Sequence, residues 1–124
     1  MPSDAAIEGR LRELGATVSG WANGPGDRYP AHEHGYDKIL VTLEGAITFV
    51  LSGDIIDLRA GDRLDLPAGT SHSARVGPDG VRCMEAHLQA SPPGRQARRV
   101  AGWAFGLDTA GTQPPAETAD GTGT

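Results

Sequence analysis

The sequence predicts an all-β barrel or sandwich with one short helix at its N-terminus. From Tyr29 onward, short segments of strand composition alternate with turn signals at regular intervals, and no helical period is present. The N-terminus differs, because Ser3-Asp4 is a helix N-cap signal and Ile7, Leu11 and Leu14 form one apolar stripe. The turn signals, rich in glycine, proline and aspartate, lie at 23–26, 52–54, 60–62, 67–69 and 77–80.

The predicted elements divide the chain into four segments. The helix is predicted over 5–14, with Gly15 as a left-handed C-cap, and the first strand over 17–22. Later strands are predicted at 38–44, 47–51, 55–58, 63–66, 71–76 and 81–89, with a tight turn or bulge at Gly45. We therefore expect an N-terminal helical segment at 1–16, a β-barrel at 17–90, a C-terminal arm or short helix at 91–107 and a flexible tail at 108–124.

Two of the predicted strands carry apolar residues on both faces. In the first of them, Ile39, Val41 and Leu43 alternate with Leu40. A small barrel needs only one apolar face, so the other must be covered by a second sheet layer, by the N-terminal helix or by another subunit. Of these alternatives we favour a homodimer.

Composition and charge exclude several classes of protein. A chain of 124 residues is long enough for one domain, and a net charge of −5 argues against a general nucleic-acid binder. No apolar run approaches the length of a membrane span, and the N-terminus lacks the pattern of a signal peptide. Cys83 is the only cysteine, so no intrachain disulfide can form. We expect a cytoplasmic protein that binds neither nucleic acid nor membranes.

Three of the four histidines are candidates for a metal site. His32 and His34 project to the same face if they lie on one strand, while Glu33 projects to the other. His72 follows the turn at 67–69, which can fold a later strand back beside the first. Three converging imidazoles suit Zn, Fe, Ni, Cu or Mn. The alternative is that these histidines only form hydrogen bonds inside the barrel.

Two stretches place glycines, prolines and histidines at fixed spacings. In the first, 26–45, five residues separate Gly26 from His32-Glu33-His34, and in the second, 61–76, two residues separate the Pro-Ala-Gly turn from His72. In these spacings the chain resembles the cupin superfamily, and in particular its small single-domain members of the cupin 2 type. The resemblance implies a double-stranded β-helix (jelly-roll) barrel and one divalent transition metal, Fe, Mn, Ni, Zn or Cu, bound by His32, His34 and His72. The two stretches are GDRYPAHEHGYDKILVTLEG and GDRLDLPAGTSHSARV.

Lys38 and Val76 depart from the family pattern. Val76 stands where the family has an asparagine, and Lys38, the only lysine in the chain, stands where the family usually has a metal-binding glutamate. An ammonium beside a divalent cation is disfavoured by Coulomb repulsion. Lys38 can pair with Asp37 or Glu85, lose its proton to act as a base or weak ligand, or hold a ligand carboxylate or phosphate over the metal. It can also be a solvated surface residue.

We favour a ligand carboxylate beside Lys38, which makes Lys38 the candidate catalytic residue. Asp37 is an alternative source of the missing metal-binding carboxylate, if the strand is bulged there.

The remaining candidates lie around the predicted cavity. The strand at 81–89 alternates Cys83 and His87 with the more apolar Met84, Ala86 and Leu88, so we expect Cys83 and His87 to face outward or toward the cavity mouth. The other possible lining residues are Tyr36, Arg75 and Trp103.

Three functions are compatible with this pattern. The first is a metal-dependent oxygenase, isomerase or lyase that acts on a small organic molecule, which Lys38 suggests is acidic. The second is a non-catalytic cupin that binds or senses a small molecule. The third is a structural dimerisation barrel, in which the spacing of the histidines is coincidental.

Overall fold

The computed structural model describes residues 1–15 and 17–107, and two long strands dominate it. The third strand has 15 residues and the sixth has 17. In chain order the elements are α1 (Asp4–Leu14), β1 (Thr17–Asn23), β2 (Arg28–His32), β3 (Asp37–Leu51), β4 (Asp54–Arg59), β5 (Arg63–Leu66), β6 (His72–Leu88), β7 (Arg98–Val100) and a 3-10 helix (Trp103–Gly106). The chain is an all-β jelly-roll barrel with a short N-terminal helix, as the sequence predicts.

The strands form one antiparallel sheet around the β3–β6 pair. The C-terminal half of β6 pairs with β1, and the N-terminal half of β3 pairs with β5, which in turn pairs with β7. The other half of β6 pairs with β2, and the other half of β3 pairs with β4. The barrel thus has two halves, one that contains β1, β5 and β7 and one that contains β2 and β4. The long strands β3 and β6 run through both halves.

Bulges in β3 change which residues face the barrel interior. The β3–β6 register shifts between Thr42 and Glu44 and again between Gly45 and Ile47. Even-numbered residues such as Leu40 face the interior before the bulge, and Ile47 faces it afterward. Gly45 has φ 75°, and a β-carbon there would collide with the carbonyl oxygen of Gly80. The segments predicted as separate strands at 38–44 and 47–51 are thus one bent strand.

The predicted turn at 77–80 also lies within a strand. The segments at 71–76 and 81–89 join as β6, and Gly80 adopts φ 80° between them. Val76 and Val81 of β6 pair with Ile47 and Gly45 of β3, so the irregular part of β6 lies opposite the bulge in β3.

The barrel interior holds the main hydrophobic core. Both halves of the sheet contribute to one buried cluster, which means that the halves pack face to face. Its members are Leu40, Ile47, Phe49, Ile56, Leu58, Leu64, Leu66, Ala74, Val76, Val81 and Cys83.

A second core covers the outer face of the first half of the barrel. There Ile39, Val41 and Leu43 pack against Ile7 and Leu11 of α1, together with Met84, Ala86 and Ala104. The N-terminal helix therefore covers the second apolar face of this strand segment. Val50 and Ile55 stay 45% and 66% exposed at the far end of the β3–β4 hairpin, where they are cross-strand partners.

The sequence correctly predicts the N-cap of α1 but not the conformation of its C-cap. The hydroxyl of Ser3 accepts a 3.2 Å hydrogen bond from the Ala6 N–H, which confirms the predicted N-cap. The left-handed cap predicted at Gly15 is wrong, because Gly15 is extended (φ −146°, ψ 174°). A β-carbon there would lie 3.1 Å from Leu88 Cγ, so a larger residue at this position would require Leu88 to shift. Leu14, the third residue of the predicted stripe, is 44% exposed.

The segment after the barrel returns to the sheet. β7 pairs with β5, and the 3-10 helix buries Ala104 in the second core. The tail predicted at 108–124 lies outside the described residues. Within the described residues, no helix combines the length and apolar character needed to cross a membrane.

Candidate metal centre

The three candidate histidines line one cavity of about 370 Å³ at the open side of the barrel interior. Apolar side chains and a few polar groups share the wall, which is typical of a small-molecule site. The lining residues are Trp21, Ala22, Asn23, Tyr29, His32, His34, Tyr36, Lys38, Ile47, Phe49, His72, Ala74 and Glu85.

The backbone brings His32, His34 and His72 together in a way that differs in part from the prediction. His32 is the last residue of β2 and pairs directly with His72, the first residue of β6. The prediction that His34 lies on the same strand as His32 is wrong, because His34 lies in the loop that follows this strand. A 2.9 Å hydrogen bond from the Gly69 N–H to the His34 carbonyl joins this loop to the turn before His72.

The candidate ligand atoms of the three histidines all lie within 4.8 Å of one another. The ring centroid of His32 is 4.8 Å from that of His34 and 4.3 Å from that of His72. His34 and His72 are 5.3 Å apart by the same measure. The cluster is therefore compact enough for three imidazoles to share one ion.

Hydrogen bonds set the tautomer of two of the imidazoles. Nδ1 of His32 lies 2.7 Å from the Pro30 carbonyl, and Nδ1 of His72 lies 2.8 Å from the Thr70 carbonyl. A carbonyl oxygen only accepts, so each Nδ1 carries the proton and each Nε2 keeps a lone pair. A backbone carbonyl on the second ring nitrogen is the usual support of a metal-binding histidine.

The buried ring nitrogens are the strongest structural argument for a metal site. Nε2 of His34 and Nε2 of His72 are buried and have no hydrogen-bond partner among residues 1–15 and 17–107. Burial without a partner costs free energy, which a bound ion would recover. The residues present therefore fit a divalent transition metal, and the donors that would hold it are the imidazoles of His32, His34 and His72.

Burial is the main cause that lowers the pKa of His34 and His72 and favours their neutral form, which is the form that binds metals. Burial lowers the pKa of His34, and the nearby charges of Lys38 and of the other two histidines lower it further. Burial also lowers the pKa of His72, although the hydrogen bond to Thr70 opposes this change. Both imidazoles therefore have free lone pairs at neutral pH.

Asp37 does not join the histidine cluster, so it does not supply the missing metal-binding carboxylate. Its carboxylate accepts hydrogen bonds from the Ala68 N–H (2.8 Å) and the Ser91 N–H (3.2 Å). Burial raises the pKa of Asp37, but the hydrogen bonds from Ser91 and Ala68 outweigh burial and the pKa is lowered overall. Asp37 thus connects the turn before His72 to the segment after β6.

Lys38 faces the barrel interior. Among the roles considered for it from the sequence, the structure shows the pairing with Glu85. Nζ of Lys38 lies 3.6 Å from Oε1 of Glu85, and both side chains are 11% exposed. Glu85 is opposite Leu40 in the β3–β6 register, so the carboxylate lies on the strand next to Lys38. The solvated-surface interpretation of Lys38 is wrong.

Glu85 and Trp21 are both cavity residues, and the sequence indicated only that Glu85 could pair with Lys38. Oε1 of Glu85 accepts a 2.7 Å hydrogen bond from the Trp21 indole, and its Oε2 lies 2.5 Å from Nε2 of His87. Burial raises the pKa of Glu85, but the His87 hydrogen bond, the Lys38 charge and the Trp21 hydrogen bond together lower it. Glu85 is therefore a buried, ionised carboxylate.

The expected orientation of the alternating residues on β6 is partly wrong. Cys83 is fully buried in the barrel core rather than facing outward, and burial raises the pKa of its thiol to about 12. Both faces of this strand are covered, because Met84 and Ala86 pack against α1. His87 lies at the edge of the cavity, where its ring stacks on Tyr36 at 4.1 Å.

Of the three additional lining residues considered, only Tyr36 lines the cavity. Its ring lies between those of His34 and His87, 4.9 Å and 4.1 Å away respectively. Arg75 is exposed, and Trp103 packs on the outside of the barrel under the guanidinium of Arg63.

Comparisons with solved structures show the fold. The protein YhaK from Escherichia coli is 21% identical, with a TM-score of 0.58 over 68% of this chain and 40% of its own. Bacillus subtilis oxalate decarboxylase, which has Mn(II) centres, is 20% identical, with a TM-score of 0.54 over 60% of this chain and 21% of its own. This chain thus spans less than half the length of either structural neighbour.

Comparison with protein families identifies the chain more specifically. No curated protein sequence matches it. The model of the AraC-like ligand binding domain matches residues 18–122, which include all of the barrel except Thr17, and all the cavity residues. The chain therefore belongs to the AraC-like ligand-binding domain family, within the cupin superfamily.

Proposed function

We propose that this chain binds one divalent transition-metal ion through His32, His34 and His72, and that the ion and the cavity together bind a small organic molecule. The observation that carries this proposal is the pair of buried Nε2 atoms of His34 and His72 without hydrogen-bond partners among the described residues. Fe, Mn, Ni, Zn and Cu all suit three imidazoles, and Mn(II) is the metal of the oxalate decarboxylase neighbour. When bound, such an ion supplies a Lewis acid with coordination positions that the protein does not fill.

Non-catalytic binding or sensing of the small molecule is the function we place first. The matched family is a ligand-binding domain, and Glu85, the buried carboxylate of the cavity, already receives hydrogen bonds from Trp21 and His87. Its lowered pKa makes Glu85 a poor proton donor at neutral pH, and a poor base. Glu85 therefore serves better as a binding or positioning group than as an acid or base.

Catalysis is the second candidate, as a metal-dependent oxygenase, isomerase or lyase. The observation that favours it is the three-ligand set, because three protein ligands with open positions are typical of catalytic rather than structural metal sites. Nuclear magnetic resonance of the ligand with the metal-loaded protein separates the two functions. Binding without consumption supports sensing, and conversion of the ligand supports catalysis.

The metal site is tested by elemental analysis of untagged protein purified without chelator. We expect about one transition-metal ion per chain in the wild type and a several-fold lower content in His34→Ala. Glu33→Ala is the matched control, since Glu33 adjoins both histidines but lies outside the cluster. Added metal should raise the melting temperature of the wild type and of Glu33→Ala more than that of His34→Ala. Equal metal content in all three proteins would refute the site.

A homodimer and a cytoplasmic location remain predictions. The exposed cross-strand pair Val50 and Ile55 is the apolar surface that α1 leaves uncovered on the β3–β4 hairpin. Light scattering should give twice the chain mass if the protein is a homodimer.

A further inference from the structure

The ammonium group of Lys38 has unused hydrogen-bonding capacity beside the three histidines. Its side chain is 11% exposed and lines the cavity. Glu85 Oε1, at 3.6 Å, is within ion-pair range but beyond ordinary hydrogen-bond length. No residue among 1–15 and 17–107 accepts a hydrogen bond from Lys38. A nearly buried ammonium therefore has donors available to a molecule in the cavity.

Glu85 is held in place and does not need Lys38 for its hydrogen bonds. Its Oε1 accepts from the Trp21 indole and its Oε2 from His87. The carboxylate thus fixes the position of the ammonium by charge and leaves its donors for a ligand.

Charge determines which acceptor suits Lys38 best. A divalent ion among three neutral imidazoles would repel the ammonium, and the single carboxylate of Glu85 offsets only part of the combined positive charge. A ligand carboxylate has an oxygen for each of the two cations and reduces the repulsion between them. A neutral carbonyl or hydroxyl supplies the hydrogen bond without reducing the charge.

The rest of the cavity indicates the size and polarity of the ligand. Ile47, Phe49 and Ala74 line it on the apolar side. Its volume of about 370 Å³ is near the small end of ligand sites. An apolar wall disfavours a strongly hydrated dianion such as inorganic phosphate.

We propose that Lys38 selects a small organic monocarboxylate, whose carboxylate lies between the Lys38 ammonium and the three histidines and whose apolar part packs against Ile47 and Phe49. This inference rests on the proposed metal site and names the class of ligand that the site takes. Glu85 is then a positioning residue, which acts on the ligand through Lys38.

The test is a calorimetric comparison of matched acids and amides. Propionate is compared with propionamide and benzoate with benzamide, with inorganic phosphate as a further probe. Each is titrated into protein loaded with the metal that elemental analysis identifies. We expect the wild type to bind each acid about tenfold or more tightly than its amide, which is the size of one charge-assisted hydrogen bond.

Substitutions at Lys38 test whether this residue causes the preference for acids over amides. Lys38→Met should reduce the preference for acids about tenfold while still taking up metal, which also shows that it is folded. Lys38→Gln, which keeps a donor without the charge, should show a similar reduction, and the preference that remains in both variants is that of the metal ion. Arg10→Met is the control, because it removes one positive charge from the exposed face of α1, and it should keep the full preference.

Several results would overturn the inference. These are equal binding of acid and amide by the wild type, an unchanged preference in Lys38→Met, phosphate binding as tight as benzoate binding, or no binding of any acid at millimolar concentration. The same titrations on metal-free protein separate the two proposals. A wild type that takes up no metal but prefers acids in a Lys38-dependent way would refute the metal site and keep the role of Lys38.

Discussion

The backbone N–H of Gly69 donates a 2.9 Å hydrogen bond to the carbonyl oxygen of His34. This bond joins the turn that precedes β6 to the loop that follows β2. The loop contains His34, and the turn leads to His72, the first residue of β6. Gly69 adopts φ 79°, a conformation that favours glycine. The spacing between two of the candidate metal ligands therefore depends on one glycine that is not itself a ligand.

Gly69→Ala is expected to lower both stability and metal affinity. A β-carbon at Gly69 would meet nothing closer than 3.8 Å, so the cost comes from the backbone conformation, about 1–2 kcal/mol. Gly53→Ala is the matched control, because Gly53 has φ 77°, is open to solvent and lies in the distant β3–β4 turn. Urea unfolding should show similar losses for the two variants, whereas metal titration should show weaker binding only for Gly69→Ala. Equal metal affinity in both would mean that the bond does not position His34.

Asp37→Asn is expected to destabilise the protein by about 1 kcal/mol at neutral pH, through weaker hydrogen bonds to Ala68 and Ser91. Because the pKa of Asp37 is lowered in the folded state, its contribution is complete above the unfolded-state pKa and is lost as the pH falls through the folded-state pKa. Chemical unfolding of both proteins should therefore give a difference that shrinks toward acidic pH. A constant difference across that range would show that the charge of Asp37 is not involved.

Lys38→Glu is expected to have opposite effects with and without metal. In metal-free protein, a second carboxylate would face Glu85 and remove its counter-ion, so the melting temperature should fall. With metal, the new carboxylate restores the usual ligand set of the cupin superfamily, so metal affinity should rise above that of the wild type. Thermal scans with and without the ion measure both effects. Loss of metal binding in Lys38→Glu would contradict the inferred position of Lys38 in the site.

Gly45→Ala is expected to be much more destabilising than Gly53→Ala. Both glycines have positive φ, but only at Gly45 would a β-carbon collide with backbone, at the carbonyl oxygen of Gly80. The cost of overpacking, typically about 1–3 kcal/mol, adds to that of the backbone conformation. Similar unfolding free energies for the two variants would show that the bend of β3 can open to accept the methyl group.

The sequence predicted the features that depend on local patterns. The N-cap at Ser3 and the all-β pattern follow from spacings within short stretches of chain. The proximity of His72 to the other two histidines was expected from the turn at 67–69 and from the family resemblance, and the structure brings the three together. Errors arose where a local signal had a non-local cause. Gly15 is extended and packs closely against Leu88 rather than forming a left-handed cap, and the glycines at 77 and 80 lie within a strand rather than ending one.

The sequence by itself indicated an all-β barrel or sandwich, because strand periodicity and turn residues act over a few positions, and its resemblance to the cupin superfamily implied a jelly roll with three histidines as metal ligands. Only the tertiary structure decided what those histidines and Lys38 face. Glu85 pairs with Lys38 because the β3–β6 register places Leu40 opposite Glu85, and α1 covers Ile39 and Val41 because the chain returns across that face. Register and packing between distant segments depend on the whole core, so no local pattern specifies them.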